Sequence, residues 1–308
     1  MVARSPDIQT NSRANLTGIL WMTVAMAFFS LEDALFKEAG QSMASGQVIF
    51  LFGLGGAIVF WLGLRWRKEP ILVAIQSPVM CVRMVCEVIG RMFYFLALAL
   101  TPLSATTAIL QATPVVVVLG AAIFFSERVS LLKWLAIVTG LVGVLIILRP
   151  DSNDFSALSL LAVVGLIGFA GRDLASRAAP VSLSTYVLGF YGFLAIIIAG
   201  GIVSLWNGTQ IVWPDGDASL ALAGTILCGV IAYIALMKAM RTGEVSTVTP
   251  FRYSRLLFGV ALGYFIFDEA LSPSFWLGSL VIVSSGLFIM LPSRGPTPTA
   301  YPKTEGTL

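Results

Sequence analysis

Three full charges, Arg83, Glu87 and Arg91, stand within the segment CVRMVCEVIGRMFY at 81–94. Their i, i+4, i+8 spacing lays them in one stripe on a helix, and Tyr94 extends the same face. Apolar sequence at 79–82 and 93–100 leaves little room for a loop. A charge at bilayer depth costs about 3 kcal/mol even on the gentler insertion scales, so it must face a partner or a wet cavity. Glu87 can pair with either Arg83 or Arg91, which leaves one cation over. Such a guanidinium suits a carboxylate, phosphate or imide carbonyl, because its planar donor fork binds these groups in pairs. A structural network that locks helices together would use the same residues. Gly90 beside the stripe permits close approach of another helix or a ligand.

A second group lies at 250–255, PFRYSR. Arg252 and Arg255 share a face at i, i+3, Tyr253 lies between them, and Pro250 should weaken the helix just before them. Arg252 is seven residues in from Val245, about 10 Å at 1.5 Å per residue, which is deep for lipid exposure. Gln111 stands at similar depth, near Thr113 and Pro114, able to hydrogen-bond a polar substrate or a neighbouring helix. Glu32 and Asp33 are the candidate proton-coupling groups. Adjacent residues point in different directions, so at most one faces a cavity well, and Asp33 has Lys37 at i+4 as an alternative partner. Phe29 and Tyr94 are among the aromatics that could sandwich a flat ring. Arg172 and Asp173 read as a helix end or as partners of other charges. Glu127 and Glu269 fall at loop edges, where capping or gating is expected rather than ligation.

What must position these groups is a membrane. The 308-residue chain is 57% hydrophobic and 11% charged, with mean hydropathy +0.91. Soluble domains carry roughly 25% charged residues. The N-terminal stretch is polar, with no apolar run before Leu16, so the first span is expected to be retained. There is no histidine, which removes imidazole metal sites, Ser-His-Asp and Cys-His pairs and imidazole proton relays. Cys81, Cys86 and Cys228 fall in apolar segments without metal-ligand spacing. The basic residues are scattered, with no aromatic-basic patch for nucleic acid, and no GxxxxGK[ST] motif is present for direct ATP drive. No cofactor or metal is expected.

Ten segments can span, at about 16–36, 46–64, 78–100, 103–125, 131–148, 158–178, 185–206, 219–240, 245–267 and 274–291. With the N-terminus inside, twelve of the nineteen Lys and Arg residues fall in inside segments. Two (Lys37, Arg149) fall outside, and five (Arg83, Arg91, Arg172, Arg252, Arg255) lie within spans. That bias predicts an all-α protein of ten transmembrane helices with both termini cytoplasmic.

The sequence also repeats. A shift of 142 sets Ala97 on Ala239, Ser104 on Ser246, Val118 on Val260, Glu127 on Glu269 and Trp134 on Trp276. A shift of 140 sets Phe29 on Phe169, Asp33 on Asp173 and Lys37 on Arg177. Each half holds five spans, an odd number, so the halves run in opposite senses, a recurrent plan in secondary transporters. The expected organisation is a cytoplasmic tail at 1–14, repeats at 15–150 and 151–292, and a Pro- and Thr-rich disordered tail at 293–308.

The paired segments TPLSATTAILQATPVVVVLGAAIFFSERVSLLKWLAIVTGLVGVLIIL and TGEVSTVTPFRYSRLLFGVALGYFIFDEALSPSFWLGSLVIVSSGLFIM resemble the EamA branch of the drug/metabolite transporter superfamily. The resemblance covers about 16–291. It implies two inverted five-helix repeats around a central substrate cavity, working by alternating access. Members carry amino acids, nucleosides, sugars, vitamins or nucleotide-like metabolites, some inward and some outward. AFFSLEDALFK at 27–37, followed by LFGLGGAI, is similar to bacterial riboflavin-uptake members, and S-adenosylmethionine-uptake members look broadly similar.

The reading is therefore a multi-pass transporter of the bacterial inner membrane that moves a small polar organic metabolite. Riboflavin is the candidate substrate; amino acids and nucleotide-like metabolites such as S-adenosylmethionine are the alternative. Arg83, Glu87, Arg91, Tyr94, Gln111, Arg252, Tyr253, Arg255 and Phe29 are the candidate cavity residues. The expected partners are the bilayer and the substrate, with the chain a monomer or homodimer. A membrane scaffold would show a sizeable extramembrane domain, and none is present. An intramembrane enzyme would need a catalytic pair that this chain cannot assemble without histidine.

Overall fold

The computed structural model describes residues 8–70, 77–100, 109–127, 129–148, 159–180, 182–206, 208, 212–267 and 273–290. All the regular structure among them is helical. The helices are α1 (Ile8–Ala39), α2 (Ser45–Arg67), α3 (Pro78–Leu100), α4 (Thr113–Phe124), α5 (Leu131–Leu148) and α6 (Ser159–Ala178). They continue as α7 (Thr185–Trp206), α8 (Gly216–Met240), α9 (Val245–Val248), α10 (Ser254–Phe267) and α11 (Pro273–Met290). Helix occupies most of the described part of each predicted interval, 103–108 lies outside the described residues, and the stretch 245–267 is divided. A 3-10 segment, Thr249–Tyr253, joins α9 to α10. Pro250 causes the break, since it lacks an amide hydrogen and its ring crowds the preceding turn.

Four of these helices, in α1 (Ser12–Phe36), α2, α7 and α8, are long and apolar enough to cross a membrane. Shorter apolar helical stretches occur at Thr113–Phe124, Leu131–Gly143 and Trp276–Ser285. Large apolar side chains such as Leu20, Ile58, Leu132, Ile198, Leu227 and Leu280 are exposed on the outward faces. That is what lipid in place of water requires of a helical bundle. Asp215 caps α8 by accepting from the Ala218 amide at 2.8 Å.

The main helix pairs are α1 with α8, α3 with α6, α2 with α7, and α5 with α11. The repeat matches α1 to α6 and α3 to α8, so exchanging the halves turns the first pair into the second. The other two pairs map onto themselves. The packing therefore carries the internal symmetry seen in the sequence. Between α3 and α6 the backbones nearly touch: a Cβ built on Gly168 would lie 2.5 Å from the Gly90 nitrogen. Gly90 thus serves a helix crossing. The main apolar core lies among α1, α2, α4, α6, α7 and α8, with Met22, Phe52, Phe60, Phe193, Ile196 and Met237 buried in it.

Candidate functional site

Glu87 is fully buried on α3, accepts two hydrogen bonds and has a third group, Arg91, in ion-pair range. Arg172 Nη1 of α6 lies 3.1 Å from Oε1, Arg91 Nε lies 3.5 Å from the same oxygen, and the Tyr233 hydroxyl of α8 donates to Oε2 at 2.7 Å. Arg172 also donates through Nε to Asp173 Oδ1 at 2.8 Å. Asp173, fully buried, is held on its other oxygen by Arg252 Nη2 from the 3-10 segment. The broken helix has a positional consequence here, because it places Arg252 where it reaches α6.

Arg83 is the cation left over. It is fully buried, and no carboxylate among the described residues lies in ion-pair contact with it. Neutral groups hold it instead. Its Nε donates to Ser176 Oγ at 2.9 Å, and its Nη2 donates to the Tyr233 hydroxyl at 2.5 Å and to Met237 Sδ at 3.5 Å. Nη1 has no hydrogen-bond partner, and the Nε atoms of Arg91 and Arg252 have none either.

One turn beyond Arg252, Arg255 donates to Asp33 Oδ2 through Nη2 at 2.5 Å and through Nε at 3.1 Å. Asp33 thus finds its partner across the repeats. The Arg255 and Asp33 side chains keep 36% and 53% exposure, so this pair is accessible where the Glu87 and Asp173 pairs are buried. Glu32 next to it behaves differently. It is buried, its Oε2 has no hydrogen-bond partner, and a Cβ built on Gly229 of α8 would lie 3.2 Å from that oxygen.

Two phenylalanines related by the repeat sit under these cations. Arg255 lies over the Phe29 ring at 5.2 Å from its centroid. Arg172 and Arg91 lie over Phe169 at 5.1 and 5.8 Å, and Tyr94 meets Phe169 edge-on at 5.9 Å. Two of the other expected residues point elsewhere. Tyr253 is buried against α5 and α11, where its hydroxyl donates to the Ile137 carbonyl at 3.2 Å. Gln111 is buried in the turn before α4 and makes no hydrogen bond among the described residues.

The structure adds Arg172, Asp173, Ser176, Tyr233 and Phe169 to the site. Tyr233 carried one signal in the sequence, a phenol hydroxyl deep in an apolar span. For Arg172 the signal was the repeat, which sets its neighbour Asp173 on Asp33. No group of three metal-type ligands occurs among the described residues.

At one end of the bundle the halves are tied together. Glu127, after α4, accepts from the Val245 and Ser246 amides at 3.2 and 2.9 Å and from the Ser246 hydroxyl. It thereby caps α9 from the other repeat, as its place at a loop edge suggested. Lys133 Nζ pairs with Glu244 at 2.5 Å, and Asn15 Oδ1 accepts from the Glu244 amide at 2.8 Å. Gly243 makes the turn with φ +72°, a value that side chains rarely adopt. Glu269, the repeat counterpart of Glu127, lies outside the described residues.

The model of the EamA-like transporter family matches residues 16–149 and again residues 156–291. The chain belongs to this family. Its curated relatives include an S-adenosylmethionine uptake transporter from Rickettsia conorii, 26% identical over 89% of this chain and 92% of that protein. A riboflavin transporter from Vibrio cholerae is 29% identical over 89% of this chain and 93% of its own length. The pseudopaline exporter CntI from Pseudomonas aeruginosa is 27% identical over 91% and 98%. A solved crystal structure overlays with a TM-score of 0.76 across 91% of this chain and 98% of the other, at 20% identity, which speaks for the fold. This EamA-like chain is accordingly a multi-pass inner-membrane transporter and not an enzyme.

Proposed function

We propose that this EamA-like protein moves a small polar organic metabolite by alternating access through a cavity between two inverted five-helix repeats. Ten spans with both termini cytoplasmic, as the Lys and Arg bias indicates, put the Glu127–Ser246 and Lys133–Glu244 contacts at the cytoplasmic end. Those contacts close that end in the present state, and substrate passage requires them to part. The observation that carries the reading is the buried network of Glu87 and Asp173 with Arg91, Arg172 and Arg252, which reaches Arg83 through Tyr233. It draws on α3, α6, α8 and the broken helix, and thus on both repeats at mid-bundle. Structural ion pairs alone would not need so many guanidiniums for two carboxylates.

Riboflavin is the candidate substrate from the match at 27–37, and a riboflavin transporter is among the relatives. The second reading is an amino acid or a nucleotide-like metabolite such as S-adenosylmethionine, and the positive excess in the network supports it through the carboxylate that such molecules bear. Of the two candidate proton-coupling residues, Glu32 is supported better, because Asp33 is already matched to Arg255. The direct test is protein-dependent flux of these compounds in reconstituted vesicles. Flux of none of them, together with none from a whole cytoplasmic extract, would reject the transport reading.

A further inference from the structure

Resting on that transport reading, the charge inventory of the network narrows the substrate. The chain of contacts from Arg83 through Tyr233 to Glu87, and from Glu87 through Arg172 and Asp173 to Arg252, is continuous, with Arg91 attached at Glu87. It holds four guanidiniums and two carboxylates, an excess of two positive charges. Asp33 and Arg255 form a pair of their own and cancel. Glu32 acts on Arg91 electrostatically without touching it, and counting it still leaves an excess of one. A buried cation without a counter-ion costs several kcal/mol. No further carboxylate among the described residues is in contact with the network, and an anionic substrate would supply the missing charge.

We infer that the transported molecule carries a carboxylate or phosphate group and that Arg83 is the residue that seats it. The other three arginines of the network each touch a carboxylate. Arg83 alone is fixed by neutral groups, Ser176, Tyr233 and Met237, which orient the guanidinium without neutralising it. They leave Nη1 free as a donor. Nε and Nη2 are already engaged, so the hydrogens of Nη1 are what Arg83 offers to a carboxylate or phosphate oxygen, as charge-assisted hydrogen bonds from a guanidinium whose plane its neutral partners fix. Tyr233 links this donor to Glu87, so an anion arriving at Arg83 would be felt by the rest of the network.

The test works with a substrate that is still unidentified. Proteoliposomes are loaded with a bacterial cytoplasmic small-molecule extract, and the species lost only when the protein is present are identified by mass spectrometry. The lost species should bear a carboxylate or phosphate. Loss only of species that carry neither a carboxylate nor a phosphate, riboflavin included, would overturn the inference while leaving transport standing. Loss of nothing would reject transport itself. Two matched competitions then separate the anion sources. Flavin mononucleotide against riboflavin reads the phosphate, and S-adenosylmethionine against its carboxamide reads the carboxylate. Arg83→Gln should lower flux at least tenfold. Arg83→Lys, which keeps the charge and is the safer variant to fold, should raise KM at least fivefold while the protein melts as a folded species. A wild-type KM in folded Arg83→Lys or Arg83→Gln would remove Arg83 from the site.

Discussion

Asp33 and Asp173, equivalent positions of the two repeats, are held by arginines one turn apart on a single segment, Arg255 for the first and Arg252 for the second. One broken helix thus grips the first helix of each half. A carboxylate and a guanidinium matched across the repeats tie the position of that helix to both halves at once. Any rearrangement that moves the halves against each other must stretch or exchange one of these pairs.

Asp173→Asn strips Arg172 and Arg252 of a shared counter-ion in a fully buried place. Breaking a buried pair in this way costs about 3–5 kcal/mol. The variant should melt well below the parent in detergent. Adding Arg252→Met should recover part of the loss, because the second charge goes with the first. Simple additivity of the two losses would show that the pair does not act as a unit.

Tyr233→Phe removes the donor to Glu87 and the acceptor for Arg83 at once. Leaving such groups unsatisfied costs about 1–3 kcal/mol each. The expected result is a lower melting temperature together with reduced flux. A Tyr233→Phe protein with parental values for both would show that the hydroxyl bridge is dispensable.

At the tied end, Glu127→Ala deletes a cap of α9 that serves two amides and a hydroxyl. The loss should be about 1–2 kcal/mol. Lys133→Ala, which cuts a partly exposed pair, should change stability by less than about 1 kcal/mol. The comparison of the two melting curves checks the order.

Proton coupling at Glu32 predicts that Glu32→Gln transports without pH dependence, while Asp33→Asn keeps the parental profile. The charged and titratable groups around Glu32 are Asp33 on its own helix, Arg91, Glu87 and Tyr94 on α3, Cys228 on α8 and Arg255 on α10. None of them forms an ion pair with it. Uptake measured against external pH decides, and an unchanged profile in Glu32→Gln would assign the proton elsewhere.

Orientation is open to chemistry. In a background without native cysteines, a cysteine inserted after Lys37 should react with an impermeant maleimide from outside, and one at position 68 only from inside. Labelling in the reverse sense would invert the proposed topology.

The membrane class, the positions of the helices, the internal repeat and the family are all legible in the linear chain. They follow from hydropathy, turn residues and Lys and Arg placement, which are local properties summed along the sequence. The charged stripe of α3 and the break at Pro250 are legible too, because spacing and a missing amide hydrogen act within one helix. Pairing was another matter. That Glu87 would take Arg172, that Asp33 would take Arg255, and that Arg83 would have no counter-ion among the described residues are contacts between residues more than 80 positions apart or consequences of such contacts. Tyr253, two positions from Arg255, turns to Ile137 instead of the network because the 3-10 segment rotates its face toward α5. Such partners are chosen by which helices lie side by side, and the small residues at crossings such as Gly90 on Gly168 decide that only once the bundle is packed.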